Sequence, residues 1–412
     1  MRRVLSVLIV AATFGSVIAA QSASLIYQLP IGDPARRDRE VPVVLDGIVD
    51  TAMGDTITPD VLATRLAATR LLLVGETHTG AEFHRVQFRV IRALQEAGRR
   101  VLVGLEMFPY TEQASLDRWN TGEQSERDFV ESSKWYEHWG YHWNYYRDIF
   151  LFARDHRIPI FALNTPREVI TAVRRKGLGA LSPEEAARIP PRIDVDSADH
   201  LTFFKASFEE GDALHGGMSE EAWKGMLAAQ ATWDATMGYN AVKRLQADPD
   251  RNVIMVVLVG SGHVAYGVGI ERQARQWFDG GIASVIPVPV RDEKGAEIPR
   301  VRATYANFVW GVEAETETAF PTLGLSTRAV EGSTQRQVIQ VEKNSAAAAG
   351  GFEVGDTLIS MDGQALANRE VLNRLMAGKT WGDAAAFVVK RGEREVPLTL
   401  VFRRSPKSSS SK

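Results

Sequence analysis

After an N-terminal leader and a polar lead, the first sustained apolar run is Leu71-Leu72-Leu73-Val74. It runs into Gly75 and reads as a strand covered on both faces. Phe83, Val86, Val90 and Leu94 then recur at three- and four-residue steps, with Gly98 standing where a helix would stop. A second apolar strand spans Val101 to Leu105, helical patterns fill 111–119 and 144–156, a third strand covers Ile158 to Leu163, and another runs from Val253 to Val259. Continuous apolar strands alternating with amphipathic helices predict an α/β fold, a mostly parallel sheet covered by helices.

The interval between the third and fourth strands has no strand signal and predicts a helical insertion at about 180–250. Ser182-Pro183-Glu184-Glu185 is a capping box with Pro at the first helical position. Trp223, Met226, Leu227, Trp233, Met237, Ala241 and Leu245 line one face of a long helix. Near 312 the pattern changes: Glu313, Glu315 and Glu317 alternate with Ala and Thr as a linker, and short strands and turns follow. The pattern divides the chain into a domain at 44–310, a second at 320–403, and a low-complexity tail at 404–412 expected to be disordered.

Lys+Arg 48 against Asp+Glu 51 leaves a net charge of −3 over 412 residues, so nothing draws the chain to nucleic acid. The absence of cysteine excludes disulfides, thiolate zinc sites, iron–sulfur clusters, cysteine nucleophiles and a lipid-modified N-terminal cysteine. Arg2 and Arg3 precede an apolar run from Val4 to Ala20 that ends in small residues. Such a run is shorter than the ~20 apolar residues of a membrane span, so residues 1–20 read as a secretory signal peptide. The expected location is outside the cytoplasm, in the periplasm, without a lipid anchor.

Chemistry gathers at the strand ends. Gly75-Glu76-Thr77-His78 closes the first strand, Gly104-Leu105-Glu106-Met107-Phe108 the second, Asn164-Thr165-Pro166 the third and Gly260-Ser261-Gly262-His263 the fourth, while His84 and Gln87 sit on the first helix. Ligands of open α/β sheets bind outside the carboxyl ends of the strands. Glu76, His78, Glu106 and His263 would converge there, suited either to hold a divalent metal or to serve as catalytic acid–base groups. The bland alternative has the carboxylates accept backbone hydrogen bonds while His263 caps a turn. The segment Trp135 to Tyr146 holds seven aromatics and two histidines in twelve residues. It reads as a helix with an aromatic N-terminal loop packed on the sheet, with His138 and His142 as reserve ligands.

The block at 320–403 resembles a bacterial PDZ domain. Leu323-Gly324-Leu325 corresponds to the carboxylate-binding loop, and the Ala-rich turn at 346–351, the Gly355-Asp356 pair and the Asp362-Gly363 turn follow in family order. The resemblance implies a small β-barrel-like domain that takes a protein's C-terminal peptide as an added strand at Leu323, Gly324 and Leu325. A PDZ fold that only dimerises or packs on its neighbour is the other reading. No Gly-x-Ser-x-Gly accompanies it as the nucleophile of a serine protease.

Over about 44–290, the strand-end motifs in their order, with Ala229 to Met237 in the long helix, resemble the ChaN-like haem-binding family of secreted bacterial proteins. Its superfamily includes Tiki metallopeptidases and erythromycin esterases. The resemblance implies non-covalent haem, and the hydrolytic relatives use positions resembling the four strand-end residues. Haem requires an apolar slot and an axial ligand. His200, His215 and Tyr266 are the candidates, with Phe203, Phe204, Phe208, Met218, Trp223 and Met226 as walls. The resulting expectation is a secreted haem-binding protein whose PDZ module recruits a protein C-terminus, with a homodimer possible. The alternatives are a metal-dependent hydrolase using Glu76, His78, Glu106 and His263, and a non-enzymatic scaffold acting through the PDZ domain.

Overall fold

In the computed structural model, which describes residues 25–207, 219–292, 294–330 and 332–404, the runs at 71–74, 101–105 and 253–259 each lie inside a slightly longer strand, while the third strand begins at Ile160, two residues later than read. The expected signal peptide, His215, Phe208, Met218 and the tail from 405 onward lie outside the described residues. In chain order the first domain has β1 (Glu40–Pro42), β2 (Ile48–Asp50), β3 (Thr56–Ile57), β4 (Thr69–Glu76), β5 (Arg100–Pro109), β6 (Ile160–Asn164), β7 (Val253–Gly260), β8 (Gly281–Pro289), β9 (Arg300–Arg302) and β10 (Phe308–Val312). Eight of these form one sheet in the order β3-β2-β10-β8-β4-β7-β5-β6. The pairs from β10 to β6 are parallel, and β2 and β3 add an antiparallel edge. β1 and β9 form a separate two-stranded ribbon.

The continuous apolar strands follow from cover on both faces. On one face, Val86, Val90 and Leu94 of the helix Ala81–Glu96 meet Leu72, Val74, Val103 and Val256, together with the ring cluster of Trp119, Phe129, Trp135, Trp143 and Phe150. On the other, Met237, Ala241 and Leu245 of the long helix Glu220–Ala247 cover Leu71, Leu73, Met255 and Val257. Burying each such side chain contributes about 1.5–3 kcal/mol. The capping box at Ser182 is present with both its hydrogen bonds, although the helix it starts is only Pro183–Ala186. Among the described residues no helix is long and apolar enough to cross a membrane.

The second domain holds β11 (Leu325–Ala329), β12 (Arg336–Val341), β13 (Thr357–Met361), β14 (Gln364–Ala365), β15 (Ala384–Arg391) and β16 (Arg394–Val401). They form an antiparallel sheet in the order β11-β12-β13-β15-β16, with β14 beside β13 and β11 at an edge. Leu358, Phe387, Val389 and Leu400 fill its core, against Leu372 of the helix Arg369–Ala377. The outer face of that helix meets the aromatic segment of the first domain. Asn373 donates to the Tyr136 carbonyl at 2.9 Å, His142 Nε2 donates to the Ala377 carbonyl at 3.0 Å, and the His142 ring stacks on Phe320 at 3.7 Å.

Trp135 has no exposed surface and donates its indole N–H to the Tyr141 carbonyl at 2.9 Å, so it ties the ring cluster to the interdomain seam. Trp135→Ala is expected to cost about 3–5 kcal/mol, read as a lower urea midpoint for the first domain. A loss below about 1 kcal/mol, as for an ordinary surface change, would show that the segment adds little to the core.

Candidate functional site

Strand order and register assemble the site. β7 lies between β4 and β5, with Glu76 opposite Gly260 and Leu105 opposite Leu258. Glu76 and Glu106 therefore rise on the two strands flanking Gly260. The ring of His78 occupies the space a side chain at 260 would need: a Cβ there would stand 3.1 Å from His78 Cε1 and 3.7 Å from Glu106 Oε2. His263 sits in the single turn Ser261–His263 after β7. That turn is held tight by Gly269, where a Cβ would fall 2.3 Å from the His263 carbonyl oxygen.

Both carboxylates are enclosed by partners. Glu76 Oε1 accepts from Tyr146 OH at 2.6 Å and faces His78 Nδ1 at 2.8 Å, while Oε2 accepts from Gln87 at 2.7 Å with His84 Nδ1 at 3.5 Å. Glu106 Oε2 accepts the Gly260 N–H at 2.8 Å, and Oε1 lies 3.4 Å from His263 Nε2. His263 Nδ1 donates to Asp234 Oδ1 at 2.6 Å, from the buried face of the long helix. Asn164 donates to the Glu106 carbonyl at 2.9 Å, so the third motif positions the end of β5.

Burial alone would raise both carboxyls, but the neighbouring imidazoles outweigh it. Beside His84 and His78, and with the hydrogen bond from Tyr146, Glu76 stays below its ordinary value. Glu106, facing His263 and His78 and bonded by Gly260, falls to about 2. Burial would likewise strip the proton from His263, yet Glu106 and Asp234 on its two sides hold it up to about 10. His78 is also raised: burial opposes its charge, and Glu76 and Glu106 prevail.

This electrostatic state does not suit the expected divalent metal. His263 lies between Glu106 and Asp234, and both Glu76 oxygens are engaged, so these groups would have to give up partners to bind a metal ion. Among the described residues no group of three or more His, Asp and Glu is disposed to hold a metal ion. The metal expected at Glu76, His78, Glu106 and His263 is therefore not supported, although the structure does bring the four together.

His78 differs from the other three. Its side chain is 28% exposed against 0% for Glu76. Nδ1 is fixed by Glu76, while Nε2 has no hydrogen-bond partner among the described residues. The rings of Trp139 and Tyr141 stand beside it, each with its centroid 4.8 Å away.

The haem-ligand candidates fall elsewhere. Tyr266 is buried, its hydroxyl donating to the Ile26 carbonyl at 2.7 Å and accepting from Leu29 N–H at 3.1 Å, which leaves it pinning the N-terminal segment. His200 is 1% exposed, with Nδ1 3.2 Å from Arg272 and Nε2 3.7 Å from Asp234 Oδ2, an interior position with no open face. Of the reserve histidines, His142 belongs to the interdomain seam, and His138 is packed against Phe108. Sequence reasoning passed over Asp234, Tyr146, Trp139 and Tyr141. The available signal for Asp234 was an acid set among Ala, Thr and Met on a buried helix; the three rings looked like ordinary core.

The coupled groups give stability a definite pH profile. Glu106 is depressed from 4.5 to about 2, so its contribution is full above 4.5 and is lost as pH falls toward 2. His263 is raised from 6.5 to about 10, so its contribution is full below 6.5 and is lost as pH rises toward 10. Thermal melts should show a decline between pH 6.5 and 10 that is shallower in His263→Gln. An equal alkaline slope in the variant would place the titration elsewhere.

The family model described as "Haem-binding uptake, Tiki superfamily, ChaN" matches residues 62–273, about half of the chain, and a PDZ domain model matches 321–401. No curated protein matches the chain. Among solved structures, ChaN of Campylobacter jejuni, described with cofacial haem binding, is 18% identical, covering 64% of this chain and 95% of its own, with a TM-score of 0.49. The HtrA-type protease AlgW with a decapeptide is 22% identical over 22% of this chain and 32% of its own, with a TM-score of 0.20. An aminopeptidase N family protein from Idiomarina loihiensis is 23% identical over 24% of this chain and 16% of its own, also with a TM-score of 0.20. The chain thus belongs to the ChaN family of haem-binding uptake proteins in the Tiki superfamily, and carries a PDZ domain C-terminal to that unit.

Proposed function

We propose that this is a secreted, periplasmic haem-binding protein whose PDZ domain recruits a protein C-terminus. The observation that carries the haem reading is His78, an imidazole with an open Nε2, its Nδ1 fixed on a buried carboxylate, and aromatic rings beside it. A carboxylate behind a histidine sets the ring's orientation and raises its basicity as a ligand. Haem, when bound, would supply the iron chemistry; His78 would offer the axial nitrogen, and Trp139 and Tyr141 apolar contact for the macrocycle. His215 remains a second candidate. Secretion rests on the run from Arg2 to Ala20.

Two features support peptide capture. β11 has no strand on its outer edge among the described residues, which leaves that edge open to strand addition, apart from the Thr327 carbonyl, which accepts from Arg336. Gly324 adopts φ +70°, and a Cβ there would fall 2.2 Å from Ser345 Cβ, so the carboxylate loop requires glycine for both conformation and space.

Adding haemin to the purified protein is expected to give a shifted Soret band that His78→Ala weakens, with His215→Ala as the parallel variant. A spectrum indistinguishable from free haemin would end the haem reading. Free C-terminal peptides with an apolar last residue are expected to bind at about micromolar strength. Amidation or Gly324→Ala should abolish that binding, and equal binding of amidated peptides would make the PDZ domain a packing unit.

A further inference from the structure

We propose that the PDZ groove and the mouth of the crevice form one composite site, for a C-terminal peptide bearing an acidic side chain upstream of its free carboxylate. The proposal rests on the peptide-capture reading and adds the chemistry of the partner. A peptide added antiparallel to β11, with its carboxylate at Leu323–Leu325, runs past Thr327 toward Ala329. Its residues about four or five before the end therefore pass Ala329, whose β12 partner is Arg336.

Arg336 reaches over that edge, donating to Thr327 Oγ1 at 2.7 Å and to the Thr327 carbonyl at 2.6 Å. Arg369 opens the helix Arg369–Ala377 and lies against the first domain, its Nη2 2.7 Å from where a Cβ on Gly140 would stand. Arg167 comes from the first domain, just after the Asn164-Thr165-Pro166 motif, and donates to the His138 carbonyl at 3.0 Å, two residues from Gly140. Arg369 and Arg167 thus stand against the His138–Gly140 backbone, next in sequence to Tyr141, with Arg336 near enough for the three charges to interact. Among the described residues none of the three is in an ion pair with a carboxylate; Arg167 and Arg336 donate to backbone carbonyls instead.

Their charges oppose one another. Burial and then Arg369 and Arg336 push Arg167 below its ordinary value, with Glu137 the one acid opposing, and burial and then Arg369 do the same to Arg336. Arg369 lies against Gly140, the neighbour of Tyr141, whose ring stands 4.8 Å from that of His78, which sets Arg369 beside the crevice. Like charges gathered without a counter-ion fit an anionic partner, and guanidinium forks are shaped for carboxylates. A carboxylate held there would direct the peptide's upstream chain toward His78 and Tyr141.

The test uses the full-length protein and labelled peptides that share a free apolar C-terminus and carry Asp, Asn or Lys, moved one position at a time along the chain. Anisotropy titration should find the Asp peptide binding about tenfold more tightly than the Lys peptide at one upstream position, with the gap closing at high salt. Arg369→Glu and Arg167→Glu, the latter outside the PDZ domain altogether, should each reverse the preference. If the three peptides bind equally at every position, or the Asp preference survives in both variants, the composite site is wrong while carboxylate-dependent capture stands. If no free-carboxylate peptide binds, the capture reading falls and takes this one with it.

Discussion

Two carboxylates buried at the carboxyl edge of a parallel sheet stay ionised only with positive charge and donated hydrogens close at hand. Glu76 and Glu106 impose that requirement on their surroundings. Tyr146, Gln87 and His84 come to Glu76 from one covering face, while His263, braced by Asp234 of the long helix, comes to Glu106 from the other. Elements distant in sequence are thereby fixed around one point. Gly260 permits it, because only a missing side chain leaves room for His78 between the two acids.

The same network fills a site that carries the residue types of a hydrolase. Each charge already has a partner, so the cluster is a rigid floor for the crevice. Its open element is His78 Nε2, with Trp139 and Tyr141 beside it.

Much of this was legible along the chain. The apolar runs at 71–74, 101–105 and 253–259 are β4, β5 and β7, and the four strand-end motifs meet as their positions implied. Strand order was not legible, since nothing local to Val253–Gly260 states that it enters between two earlier strands. The antiparallel edge of β2 and β3 and the parallel strands β8 and β10 went unread, because short or late strands take their meaning from distant partners. Tyr266 illustrates the limit for side chains. Its sequence position beside His263 suggests a ligand, but its hydroxyl is claimed by Ile26 and Leu29, at the other end of the domain. The aromatic segment was half legible: its packing followed from spacing, its second surface toward the PDZ helix did not.

That segment has a mechanical consequence. Between Trp135 and Tyr146 the backbone is clamped at both ends by buried rings, and within a few residues it presents Trp139 and Tyr141 to His78, Tyr136 to Asn373, and His142 to Phe320 and Ala377. The ring walls beside His78 and the seat of the PDZ helix are thus two surfaces of one twelve-residue segment, so neither can be reshaped without bearing on the other.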